Sequence, residues 1–255
     1  IQYAIDEARE AGITEFIFVT SRGKSALEDY FDRAPELEAS LKAKNKTELL
    51  DIYDKTCMDS GAIAYVRQNQ ALGLGHAVWC ARHLIGDEPF AVLLPDDVIA
   101  AEKPCLAQMI DAYADTGGNM VAAMEVPEAA TSSYGILDVT ASINPKLKVN
   151  GMVEKPEKGT APSNLAAIGR YILSPQMDGQ QTGAGGEIQL TDAIAKEIET
   201  SDNVYGYRFQ GQRFDCGTKA GFLQATVSFG LARADLRDEL EDYIYDMMAM
   251  RQAAE

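Results

Sequence analysis

The sequence predicts an α/β protein: a mostly parallel central sheet with helices on both faces, and a small mixed or antiparallel excursion in its second half. Three observations carry that reading. Segments with helical spacing alternate with short β-branched or aromatic runs through the first half of the chain, the order of a doubly wound sheet. Phe90-Ala91-Val92-Leu93-Leu94 is an unbroken apolar run closed by Pro95, as in a strand buried on both faces of a parallel sheet. From Tyr134 onward, three strand-like runs follow one another with only short turns between them.

Taken in order, Ile1, Ala4, Ile5 and Ala8 repeat at helical spacing, and Gly12 closes that helix. Residues 13–20 (ITEFIFVT) are β-branched and aromatic, hence a strand. Ser21-Arg22-Gly23-Lys24-Ser25 imitates the end of a phosphate-binding loop, but Phe18 stands where the first glycine is required, so the stretch reads as a helix start. Residues 35–53 are polar, Lys/Glu-rich and helical, and are expected outside the main sheet. A strand over 62–67 feeds the loop Gln68–His76, which opens a helix carrying Ala77, Val78, Ala81, Leu84 and Ile85. As a dinucleotide fingerprint this loop fails, because Val78 sits at the third glycine position. His76 reads as a hydrogen-bonding residue at a helix start.

A helix over 103–114 and a strand over 119–126 follow. The three later strands are 135–139, 148–154 and 165–173. Gly183-Ala184-Gly185-Gly186-Glu187 opens a helix with Leu190, Ala193, Ile194 and Ile198 on one face; such a turn offers free N–H groups to an anion, or serves as a lid. A strand over 204–209 leads to Phe214-Asp215-Cys216-Gly217, and a helix with Phe222, Leu223, Val227 and Leu231 follows. The last helix sets Leu236, Leu240, Tyr243, Ile244 and Met247 on one side, a stripe that docks on its own domain or on a second subunit.

Among the 255 residues, 46% are hydrophobic and 24% charged, the composition of an ordinary globular protein with a full-sized core. The balance of 39 acidic against 23 basic residues, a net −16, argues against nucleic acid or an anionic membrane surface as partner. An anionic small substrate stays compatible, because a few placed cations and a metal override the global field locally. Cys57, Cys80, Cys105 and Cys216 are too widely spaced for a zinc knuckle, and reduced thiols in a cytoplasmic protein are expected. No stretch reads as a signal peptide, and no apolar run is long enough to span a bilayer. Ile1 enters inside a helical pattern without an initiator Met, as if the chain were cut there.

Three places carry chemistry. Asp96 and Asp97 lie just beyond the strand end where α/β sheets bind ligands. Two anions about 4 Å apart repel by roughly 4 kcal/mol at an effective dielectric near 20, so a cation is expected beside them, and Mg2+ shared with substrate phosphates is the usual solution. The plain alternative is a turn or helix cap. Glu154-Lys155-Pro156 sets an acid and a base at another strand end; adjacent strand residues face opposite sides, so both reach one ligand only if Pro156 breaks the strand. The alternative there is a surface charge pair. Asp215 is a further carboxylate at a strand end.

In combination these stretches resemble the sugar-phosphate nucleotidyltransferases, and most closely the uridylyl branch. The matching segments are IQYAIDEAREAGI, SRGKSALEDYFD, YVRQNQALGLGHAVWCA, LLPDDVI, SYGILDV, GMVEKP, AAIGRYIL, GAGGEIQLTDAI and FDCGTKAGFLQATVSFGL, in family order over nearly the whole chain. The resemblance implies a Rossmann-like nucleotidyltransferase fold and a Mg2+-dependent reaction making UDP-glucose and pyrophosphate from UTP and glucose 1-phosphate. It divides residues 1–232 into a nucleotide side (about 1–126), a sugar side (about 127–210) and a return to the core (204–232), followed by a C-terminal helix (233–255). Gln68 and Gly73 would hold the uracil edge. Asp96 would bind Mg2+, with Asp97 beside it on the nucleotide side and Asp215 as second metal ligand. Gly135, Glu154 and Glu187 would face the hexose, with Lys155 on the phosphate; Arg170 would either join them there or serve the structure. A homo-oligomer, dimer or tetramer, is also implied. The family's glycine-rich G-x-G-T-R loop and Pro-Lys have no counterpart here, so this chain as given is expected to be impaired in turnover. The rival readings are a thymidylyl or other sister transferase, and a non-catalytic nucleotide-sugar-binding homologue.

Overall fold

A computed structural model describes residues 1–143, 145–175, 186–201 and 203–254. Of the glycine-rich turn expected before Leu190, only Gly186 and Glu187 are among them. Helix α1 (Gln2–Glu10) turns Ala4, Ile5, Glu7 and Ala8 inward. Strand β1 (Phe16–Thr20) alternates buried and half-buried residues and pairs in parallel with β2 (Ile63–Arg67). Between them run α2 (Ser25–Phe31), α3 (Pro35–Ala43) and α4 (Thr47–Thr56), which bury only Phe31; their Lys/Glu-rich surface lies outside the sheet, as its polarity requires.

Two short helices, α5 (Leu74–Cys80) and α6 (Arg82–Ile85), lead to β3 (Phe90–Leu93) and β4 (Asp97–Ala100). Then come α7 (Cys105–Thr116), β5 (Asn119–Glu125), a 3-10 segment (Glu128–Ser133), β6 (Gly135–Ile143), β7 (Lys146–Glu154) and β8 (Leu165–Leu173). The chain continues through α8 (Leu190–Ser201), β9 (Val204–Arg208), β10 (Gln212–Asp215), α9 (Lys219–Ala232) and α10 (Arg237–Ala254).

The α/β class and the helices on both faces stand, but the sheet is more mixed than expected. Six strands are ordered β3-β8-β5-β9-β7-β6; β1-β2 and β4-β10 form separate pairs. Among the described residues, only β1–β2 and β5–β9 pair in parallel, and the other pairings are antiparallel. The cause is β8, an almost fully buried apolar strand that enters between β3 and β5 in the reverse direction. It leaves β3 at the edge of the six strands, so Phe90–Leu93 are half-buried rather than enclosed on both faces. The expected excursion is likewise stitched into the main sheet: the β6–β7 hairpin joins it through β7–β9 pairing.

Strand alternation divides the core. Met120 and Ala122 of β5 join Leu106 and Met109 of α7 with Phe16 and Phe18 of β1 on one face. Val121 and Ala123 join Leu190, Ile194 and Ile198 of α8 on the other. The whole arrangement brings the ends of β3, β7 and β10 to one rim.

Candidate active site

The rim is built around a ribbon that residue patterns did not reveal, β4 against β10, with Asp97 directly opposite Asp215. Between β3 and β4, Asp96 is exposed, and its carbonyl accepts the Cys216 N–H at 2.8 Å. A Cβ on Gly217 would stand 3.1 Å from Asp215 Oδ1 and 3.2 Å from Asp96 Oδ2. The two carboxylate oxygens therefore border the space that this glycine leaves open, no farther apart than those two spans together. Among the described residues no group of three or more His, Cys, Asp or Glu is arranged to hold a metal. Two carboxylates with open space between them match the donor set of Mg2+, which completes its shell with water and substrate phosphates.

Asp97, expected on the nucleotide, is instead turned inward and buried. Its Oδ2 accepts the Gly169 N–H at 2.8 Å and its Oδ1 accepts Arg213 Nε–H at 2.6 Å. With both oxygens engaged, its carboxylate is an anchor for the ribbon. Arg213, which residue patterns did not single out, also reaches the Tyr134 hydroxyl at 3.0 Å and Asp215 Oδ2 at 3.5 Å. Burial by itself would lower the guanidinium pKa, but Asp97 and Tyr134 outweigh it and hold the group above its ordinary value.

Arg170, expected at the hexose, is also withdrawn from the surface. It makes a two-pronged pair with Glu7 of α1, at 3.0 and 2.8 Å, and donates to the carbonyls of Leu94, Gly169 and Asp97. Its side chain is 1% exposed, so it is spent on joining α1, β8 and the Asp96–Asp97 turn. The reason is its place within β8: the strand is buried on both faces, and an ionised side chain there must find a partner.

The sugar-side candidates do meet. Gly135 lies in register opposite Glu154, and a Cβ at Gly135 would crowd Thr191, Met152 and Glu154 Oε2. β7 ends at Glu154, and Lys155 turns back with φ +44, its N–H held by the Tyr134 carbonyl at 3.0 Å. This left-handed residue is how Glu154 and Lys155 come to share a side, with Lys155 Nζ 3.4 Å from Glu154 Oε1. Tyr171 lies buried in β8; burial first, then Asp97 and Glu154, push its phenol pKa far up, so it stays protonated.

The remaining candidates close the rim. Gly73, at φ +96, caps α5 where a Cβ would stand 2.7 Å from the Ile188 carbonyl oxygen and 3.2 Å from the Glu187 Cβ. The Ile188 carbonyl accepts the Gly75 N–H at 2.9 Å. Gln68 donates to the Gly73 carbonyl at 3.0 Å and lies 3.0 Å from His76 Nδ1. Thus residues 187–191 touch the Gln68–Gly75 loop at one end and Gly135 at the other. Gln68 and Gly73 thus connect through residues 187–191 to Gly135 and Glu154, and Lys155, Tyr134 and Arg213 connect that end to Asp215.

Comparison with known proteins is decisive at the family level. The nucleotidyl transferase model matches residues 1–229. The chain belongs to that family. Among curated nucleotidyltransferases it is 49% identical to the UTP--glucose-1-phosphate uridylyltransferase of Bacillus subtilis over 252 residues, covering 97% of this chain and 86% of that one. A UTP-bound UGPase from Acinetobacter baumannii superposes with a TM-score of 0.87 at 41% identity, covering 96% of this chain and 86% of the other. A UDP-glucose pyrophosphorylase complexed with UDP-glucose gives a TM-score of 0.78 at 38% identity, covering 91% and 86%.

Proposed function

We infer that this nucleotidyltransferase makes UDP-glucose and pyrophosphate from UTP and glucose 1-phosphate. The observation that carries the reading is the convergence of Asp96 and Asp215 about Gly217 on the rim that also holds Glu154 and Lys155, in a chain nearly half identical to a uridylyltransferase. In this reading a phosphate oxygen of glucose 1-phosphate attacks the α-phosphorus of UTP in line, and pyrophosphate leaves. No covalent enzyme intermediate is needed; alignment and charge neutralisation supply the acceleration.

Each residue then has one task. Gln68 and the Gly73 backbone read the uracil edge, from the loop that Gly73 closes tightly against Ile188. Glu154, packed beside Gly135, accepts hydrogen bonds from hexose hydroxyls, and Glu187 borders the same sugar. Lys155, more than half exposed, meets the sugar phosphate with its ammonium. Asp96 and Asp215 hold Mg2+, which when bound neutralises phosphate charge as it develops. Asp97 and Arg170 hold the carboxylate turn in place from beneath. Nothing in the rim requires a nucleophilic cysteine or serine.

Exposed Tyr243, Tyr245, Met247, Met248 and Met250 of α10 support association of copies through that helix, which light scattering on the purified protein checks. No described helix is long and apolar enough to cross a membrane.

The test is pyrophosphate release with UTP, dTTP, ATP and GTP compared on glucose 1-phosphate, for the wild-type protein and Asp96→Asn. UTP is expected to dominate, and the variant to lose on the order of 10²-fold in kcat. Preference for dTTP would assign the sister thymidylyl activity. No release with any nucleotide would favour a binding homologue.

A further inference from the structure

Arg213 stands where the carboxylates and the sugar strand meet. Its side chain is 10% exposed and its fork points three ways: to Asp97 Oδ1, to Asp215 Oδ2 at 3.5 Å and to the Tyr134 hydroxyl at 3.0 Å. Asp97 is itself gripped by the Gly169 N–H, while its carbonyl is held by Arg170 at 2.7 Å. The guanidinium is thereby anchored, and its contact with Oδ2 leaves Asp215 Oδ1 to accept the Gly217 N–H at 3.1 Å, at the border of the same Gly217 space that Asp96 Oδ2 borders. On its other side, the backbone of the same Tyr134 holds the Lys155 N–H at 3.0 Å, at the residue whose φ of +44 turns the ammonium toward Glu154.

We propose that Arg213 is a positioning residue for the transfer, aiming Asp215 at the divalent cation and tying that aim to Lys155 through Tyr134. The proposal rests on the assignment of the cation to Asp96 and Asp215. A planar fork can satisfy three partners in fixed directions; a lysine in its place would still neutralise Asp97 but could not orient the other two. A merely structural Arg213 and a positioning one are separated by that difference.

The experiment measures Mn2+ affinity by electron paramagnetic resonance, with no turnover, in the wild-type protein and in Arg213→Lys, Tyr134→Phe, Asp96→Asn and Asp215→Asn. Melting temperatures and steady-state constants accompany it. Arg213→Lys is expected to bind Mn2+ about tenfold more weakly, as partners of metal ligands do when altered, while melting close to wild type. Tyr134→Phe is expected to keep Mn2+ affinity within about twofold while raising KM for glucose 1-phosphate about fivefold, with a smaller change in KM for UTP. A folded Arg213→Lys with wild-type Mn2+ affinity would overturn the aiming role. Should that variant not fold, Arg213→Gln takes its place in the Mn2+ measurement, where wild-type affinity again overturns the aiming role, and an unchanged KM for glucose 1-phosphate in Tyr134→Phe sinks the coupling. Wild-type Mn2+ affinity in both Asp96→Asn and Asp215→Asn would instead remove the cation assignment beneath the proposal, a result distinct from failure of Arg213→Lys alone.

Discussion

At the scale of single residues, the site separates carboxylates by what surrounds them. Asp97 is enclosed and doubly bonded, whereas Asp96 is exposed and Glu154 is about one-fifth exposed. A site built to accept a hydroxyl hydrogen bond discriminates against its loss. Glu154→Ala should therefore raise KM for glucose 1-phosphate by tenfold or more, an order-of-magnitude expectation, and leave KM for UTP nearly unchanged. Equal losses for both substrates would mean that Glu154 supports the fold. Cys216 gives a pH prediction. Burial first, then Asp215, Asp96 and Asp97, push its thiol pKa up. A raised pKa depletes the reactive thiolate at neutral pH. Iodoacetamide should thus modify Cys216 slowly near pH 7.5, faster as pH rises past the ordinary thiol range, and faster again when Mg2+ offsets the two carboxylates. Mass spectrometry of the modified peptide checks the order, and rapid labelling at neutral pH without Mg2+ would contradict it.

At the scale of elements, the junction of β10 and α9 positions the second carboxylate. Thr218 caps α9 by accepting the Gly221 N–H at 3.1 Å, and Gly221 lies against the backbone of Asp215. A Cβ at Gly221 would overlap the Asp215 carbonyl oxygen, and backbone cannot yield as a side-chain tip does. Gly221→Ala should displace the Asp215 end of β10 and cost about 1–3 kcal/mol. Denaturant midpoints read the stability loss, and weaker Mn2+ binding reads the displacement. An unaltered midpoint would show that α9 slides away freely. The Lys155 turn is the corresponding device on β7, where one left-handed residue replaces strand alternation and sets two neighbouring side chains together.

At the scale of the molecule, Glu7 and Arg170 join the first helix to a strand 163 residues later. Glu7 also accepts the Leu106 N–H at 3.1 Å, so α1, α7, β8 and the carboxylate turn share one buried charge pair. Removing one partner strands the other in a region of low polarity. Glu7→Gln should destabilise by about 3–5 kcal/mol, with Arg170→Met similar and the double variant milder than their sum. Chemical denaturation of the three variants measures this, and strictly additive losses would deny the coupling. Activity in Glu7→Gln should fall with the folded fraction, since neither side chain reaches the rim.

Much of this was written in local pattern. The runs over 119–126 and 165–173 and the helical stripe of Leu190, Ile194 and Ile198 recur as β5, β8 and α8, because apolar spacing and β-branched content are properties of a segment by itself. Asp96, Asp215, Glu154 and Lys155 were legible as charged residues at strand ends, and Pro156 marked where β7 stops. The strand order was not. Reverse insertion of β8 between β3 and β5 depends on which edges are free when the chain collapses, and no local run encodes its neighbour's direction. The same limit hid the β4–β10 ribbon, whose strands are four residues each. It also hid the fate of three charges: Asp97, Arg170 and Arg213 differ from surface residues only in what surrounds them. Local chemistry determined which residues could act; tertiary structure decided which face the substrate and which stay buried, because desolvation and pairing depend on distant neighbours.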